Sequence, residues 1–163
     1  MIKDVQKLVV LNRKILFVGI GNVLKRDDGV GVFISNHIIP SQNRHTLTVE
    51  ASIENYIGKI NSLAPDILVL IDCLHFNSKP GYFELLEIDK IQDFTTNTHN
   101  ISLNKIKELF HVPIILVLGI QPLSVNFGEE MSAEVIQAAN QIIDIINSST
   151  AISKNLKTRN NYS

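Results

Sequence analysis

Three short runs of this chain are apolar almost without interruption: Ile15-Leu16-Phe17-Val18, Ile67-Leu68-Val69-Leu70-Ile71 and Ile114-Ile115-Leu116-Val117-Leu118. A strand with one face in water alternates apolar and polar residues, whereas a strand covered on both faces reads as a continuous, β-branched-rich run. The three runs therefore predict the central strands of a parallel sheet with layers on both sides. Two further segments predict edges. Arg44 to Glu50 alternates Leu47 and Val49 with polar neighbours, and Tyr82 to Ile88 follows a Pro80-Gly81 turn and is expected to run antiparallel.

Helices fit between these strands. Asp28 to Ile39 closes at Pro40, and Asn55 to Leu63 closes before Pro65. Ile101 to Phe110 follows Asn100 as a cap. Ser132 to Ile146 places Val135, Ile136, Ala139, Ile142, Ile143 and Ile146 at helical spacing. Strands alternating with helices predict an α/β sandwich with a largely parallel sheet. The length of 163 residues suits one domain with a real hydrophobic core. That domain is expected over residues 1–147, with a polar, frayed tail over 148–163.

Charge and cysteine usage narrow the partners. The formal net charge of −1 leaves no electrostatic footprint for nucleic acid or an anionic membrane, so neither is expected as a partner. The single cysteine, Cys73, excludes an internal disulfide framework and fits a reducing compartment. Lys3, Asp4, Lys7 and Arg13 interrupt the first residues, so no signal-peptide core forms there. No apolar run approaches the ~18 residues a membrane helix needs. A cytoplasmic protein is the expectation.

In open α/β sheets, ligands gather at the carboxyl ends of the strands. The first strand ends in Gly19-Ile20-Gly21-Asn22, leading to Asp27-Asp28-Gly29-Val30-Gly31. The third ends in Asp72-Cys73-Leu74-His75, and the last in Gly119-Ile120-Gln121-Pro122. A loop holding Thr98-His99-Asn100 precedes a helix and reaches toward the same edge. The glycines permit a tight turn. Asp27 is expected to cap the following helix, and Asp28 to sit in its first turn, where the macrodipole favours an ionised carboxylate. A carboxylate such as Asp72 at the end of a buried strand is costly unless solvated, paired or bound to a cation. Two carboxylates and an imidazole suit a borderline divalent ion such as nickel or zinc. Capping alone also accounts for the first pair of acids, and backbone hydrogen bonds for Asp72. Cys73 reads as a small buried residue, His75 as exposed, and Gln121-Pro122 as a loop-shaping pair.

Familiar sites are missing. There is no HExxH helix, no GxSxG elbow and no P-loop. A dinucleotide-binding module is the chief rival from another class, because Gly19 and Gly21 follow a strand and Glu50 ends the next. Leu24 occupies the third glycine position, however, and Asp27-Asp28 would repel a pyrophosphate at the helix N-terminus.

Taken together, Gly19-Ile20-Gly21-Asn22, Asp27-Asp28-Gly29 with Gly31, Asp66 to Asp72, Thr98-His99-Asn100 with Leu103, and Leu118 to Pro122 resemble the hydrogenase maturation endopeptidases. The resemblance spans Ile15 to Ile146 and lies nearest the branch serving the formate hydrogenlyase-type enzyme. It implies a three-layer α/β/α sandwich with five strands in the order 2-1-3-5-4, strand 4 antiparallel. It also implies removal of the C-terminal extension of a nickel-iron hydrogenase large-subunit precursor. The family's metal-binding acid, acid and histidine fall on Asp28, Asp72 and His99, which are expected both to hold metal and to serve catalysis. The implied Ni2+ arrives with the precursor and acts as recognition element. Nickel polarising the carbonyl or activating water, or Asp28 acting as general base, are alternative hydrolytic routes. One departure stands out: Glu50-Ala51-Ser52 replaces the Asp-Gly-Gly turn frequent in the family, which restricts positive φ there. A noncatalytic nickel-dependent assembly partner is the alternative that this altered turn keeps open.

Overall fold

A computed structural model describes the backbone of residues 1–50, 52–91 and 103–159, and side chains through residue 148 apart from 103 and 104. The five strands are β1 (Ile15–Ile20), β2 (Arg44–Glu50), β3 (Ile67–Cys73), β4 (Phe83–Glu87) and β5 (Ile114–Ile120). They form one sheet in the order β2-β1-β3-β5-β4. All neighbours are parallel except β4 and β5. The continuous apolar runs are the three inner strands, and the two weaker segments are the edges.

The helices are α1 (Ile2–Val9), α2 (Val30–His37), α3 (Ile57–Leu63), α4 (Leu103–Ile106) and α5 (Ala133–Arg159). Period-two alternation splits the inner strands between two cores. Ile15 and Phe17 of β1 with Ile67, Val69 and Ile71 of β3 pack against α1, α2 and α5. Leu16, Val18 and Ile20 with Leu68 and Leu70 face α3, α4 and their flanking turns. A helical layer thus covers each face, completing the α/β/α sandwich.

Several expected boundaries move. The helix expected to start at Asp28 begins with a 3-10 turn over Arg26–Gly29, and another 3-10 turn, Ile53–Tyr56, precedes α3. On α5, Val135, Ala139, Ile142, Ile143 and Ile146 are buried as expected, but Ile136 points to solvent and Ala138 is buried instead. The α5 backbone continues past Ile146 to Arg159. No Gly or Pro follows Glu129, so nothing local stops the helix. Helix α1 has no counterpart among the expected elements; Val5 and Leu8, one turn apart, are buried while Lys3, Asp4 and Lys7 stay outside.

Candidate functional site

The site lies at the carboxyl ends of β1 and β3, which are adjacent and in register from Ile15 with Ile67 to Gly19 with Ile71. Chain direction and tight packing set the turn that carries Asp28 against the strand that carries Asp72. After β1, Gly21 takes φ +144°, and a Cβ on it would fall 1.8 Å from the Asp28 carbonyl oxygen. Only a glycine lets the chain fold back so closely on the turn that carries the acids. Helix α2 then crosses the strand ends at backbone contact: a Cβ on Gly31 would lie 2.2 Å from the Ile71 carbonyl oxygen and 2.3 Å from that of Ile20. The Arg26–Gly29 turn is thereby seated beside the strand end that carries Asp72.

Asp28 and Asp72 are both 1% exposed. The Asn22 backbone N–H donates to Asp28 Oδ2 at 3.0 Å, and the Cys73 N–H donates to Asp72 Oδ1 at 2.8 Å. The Cys73 thiol is buried next to Asp72 in β3. Its pKa is pushed far up, first by burial and then by the charges of Asp72, Asp28 and Asp27. Cys73 is therefore a neutral packing residue, as expected, and not a nucleophile. His99 lies outside the described residues, as does Ala51. Among the described residues, no three or more His, Cys, Asp or Glu side chains form a metal-holding group.

Asp27 does not cap α2. It is fully buried, and its carboxylate crosses to the loop between β5 and α5. Oδ2 accepts from the Leu123 N–H at 2.8 Å and the Ser124 N–H at 3.0 Å, while Oδ1 accepts from the Ser132 N–H at 2.7 Å and its hydroxyl at 2.9 Å. Its own N–H donates to the Ser124 carbonyl at 3.1 Å. Two adjacent acids thus divide their work: one ties two distant loops together and the other accepts from the Asn22 N–H on its own loop. The partners of Asp27 are about a hundred residues away, so no local pattern could have revealed its role.

Gln121 shapes its surroundings, as its position suggested. Its side-chain carbonyl accepts from the Phe76 N–H at 2.7 Å, and its amide donates to the Pro122 carbonyl at 3.1 Å, fixing the loop after β3. His75 is exposed beside it, Nδ1 standing 3.4 Å from the Gln121 amide nitrogen. His37 closes on its own helix, Nδ1 lying 2.7 Å from the Phe33 carbonyl oxygen.

The departure at Glu50 takes structural form. The β1–β2 register skips a residue, pairing Gly19 with Thr48 and Ile20 with Glu50, and Glu50 takes φ +51°. A non-glycine residue in the left-handed region is held there against a cost of about 1–2 kcal/mol. Arg26, at φ +47°, and Asn77, at φ +53°, repeat this at two other loops on the same edge. The Gly21 N–H donates to the Glu50 carbonyl at 2.9 Å, fastening the unusual turn to the acidic loop.

The HycI family model, described as hydrogenase maturation protease, matches residues 48–149, a span that includes Asp72 and His99. The crystal structure of the [NiFe] hydrogenase maturation protease HycI from Thermococcus kodakarensis KOD1 has a TM-score of 0.76 at 27% identity, covering 89% of this chain and 97% of that one. The solution structure of the endopeptidase HycI from Escherichia coli shares the fold, with a TM-score of 0.75 at 24% identity over 83% of this chain and 90% of that one. A Methanocaldococcus jannaschii protein bearing a hydrogenase maturation protease name is 25% identical over 150 residues, covering 82% of this chain and 89% of that protein. These matches lead to one conclusion: the chain belongs to the HycI family of hydrogenase maturation proteases and is an endopeptidase, a peptide hydrolase.

Proposed function

We propose that the chain removes the C-terminal extension of a nickel-iron hydrogenase large-subunit precursor, in the cytoplasm, and acts only once that precursor holds its nickel. The observation that supports this reading is the burial of two acids beyond the carboxyl ends of neighbouring parallel strands, Asp28 in the turn that follows β1 and packs on β3, and Asp72 near the end of β3. Buried carboxylates are costly unless hydrogen-bonded, paired or bound to a cation, and a nickel ion already held by the precursor supplies a cation. Asp28, Asp72 and His99 are the side chains assigned to it. Contact with the ion orients the precursor's C-terminal segment against the enzyme, and correct placement alone lowers a barrier by several kcal/mol. Nickel here is part of the substrate, so its insertion serves as the checkpoint for cleavage.

The test compares purified nickel-loaded and nickel-free precursor, following release of the C-terminal peptide by mass spectrometry. Cleavage of the loaded form alone is expected; equal cleavage of both forms overturns the checkpoint. Asp28→Asn, Asp72→Asn and His99→Ala are each expected to reduce processing by at least about a hundredfold, a loss of roughly 2.7 kcal/mol of transition-state stabilisation. Full activity in all three removes the proposed trio.

A further inference from the structure

Two loops at the sheet edge are fused into one surface. The Arg26 N–H donates to the Gly128 carbonyl at 2.7 Å, and the Gly128 N–H donates to the Leu24 carbonyl at 2.9 Å. Beneath this bridge lies the buried Asp27 carboxylate, holding Leu123, Ser124 and Ser132. The two loops are therefore tied to each other by hydrogen bonds, yet they present large apolar side chains to solvent. Val23 is 46% exposed, Leu24 55%, Leu123 61% and Phe127 79%. Phe127 is the most exposed of the large apolar residues described, and the Lys25 ammonium stands 5.5 Å from its ring centroid. Exposed apolar side chains gathered on two hydrogen-bonded loops mark an interaction surface.

We propose that Val23, Leu24, Leu123 and Phe127 form the docking surface for an apolar segment of the protein substrate beside the bond to be cleaved. This rests on the assignment of Asp28 to the cleavage site, because Leu24 stands four residues before Asp28 in the same loop and Leu123 donates its N–H to the neighbouring Asp27 carboxylate. The flanking charges favour a protein occupant. Lys25 and Arg26 are offset by Glu129 and Glu130, leaving no basic excess to hold an anionic surface. The patch supplies affinity through apolar burial and takes no part in bond breaking, so it acts on binding and not on turnover.

The test uses the full chain with Leu24→Ser and with the pair Leu123→Ser and Phe127→Ser. All three positions are exposed, so the fold is expected to survive, as circular dichroism and Tm will confirm. Binding of purified nickel-loaded large-subunit precursor is measured directly as Kd, and cleavage is measured as KM and kcat. A rise of about tenfold or more in Kd and KM, with kcat within about twofold of the parent, is the expected result. Unchanged Kd in both variants overturns the proposal, as does a parent protein that fails to bind the precursor. Sedimentation supplies another contrary outcome: parent self-association that the variants abolish, with Kd for the precursor unaltered, assigns the patch to a second copy of the chain. If the parent binds without cleaving, and the variants bind about tenfold more weakly, the docking surface stands while the proposed cleavage function falls.

Discussion

Cys73 follows Asp72 along β3 and packs away from water within reach of three carboxylates. The thiol of the unfolded chain ionises near about 8.5, but burial and the neighbouring charges keep the folded thiol neutral well above that. Below about 8.5 both states hold the proton, and the contribution to stability is fully present. Above it the unfolded state binds fewer protons, so stability falls as pH rises, by about 1.4 kcal/mol per unit. Urea unfolding of the parent is accordingly expected to lose about 2 kcal/mol more than Cys73→Ala between pH 8.5 and pH 10. Equal losses would show that the folded thiol ionises freely. The same side chain should resist alkylation in buffer and react in urea. That Cys73 is buried could be read from its place in an apolar run; the carboxylates around it come from separate loops and are visible only in the fold.

At the scale of elements, α2 and α3 make opposite predictions for the same substitution. Gly31 lies where α2 meets the carbonyl oxygens of Ile71 and Ile20, which are backbone atoms and cannot swing aside. Gly31→Ala must lift the helix from the sheet, with an expected loss of about 3 kcal/mol by chemical denaturation. A Cβ added to Gly58, in α3, would meet nothing within 4 Å. Gly58→Ala is expected to raise stability by about 0.5–1 kcal/mol. Tm measurements on the two variants should move in opposite directions. The inner strands are legible because burial on both faces leaves an uninterrupted apolar signature, as at Leu68-Val69-Leu70. Helix α1 is amphipathic, with Ile2, Val5, Leu8 and Val9 on the core side, but at eight residues it is too short to be told from an irregular leader by pattern alone. The 3-10 turn at Arg26–Gly29 is hidden for another reason: Asp27 has the composition of a cap, and only its distant partners explain why it turns elsewhere.

Across the whole molecule, Asp27 links the end of β1 to the start of α5, joining residues separated by 105 positions. Its carboxylate serves four donors, so removing it strands buried N–H groups, whereas removing the Ser132 hydroxyl leaves the backbone donors satisfied. Asp27→Ala is expected to cost about 3–5 kcal/mol and Ser132→Ala about 1 kcal/mol, measured by urea unfolding. Similar small losses in both would show that water replaces the carboxylate without penalty. The five-strand order was implied by resemblance to a family, but this long-range tie, which unites the acidic loop with the apolar platform, has no counterpart in any local motif. It also sets an order of events during synthesis. A nascent chain that has left the ribosome as far as β5 already holds Asp28 and Asp72, but the donors at Ser132 have yet to emerge. The acidic loop therefore acquires its final hydrogen bonds only when translation has passed the start of α5.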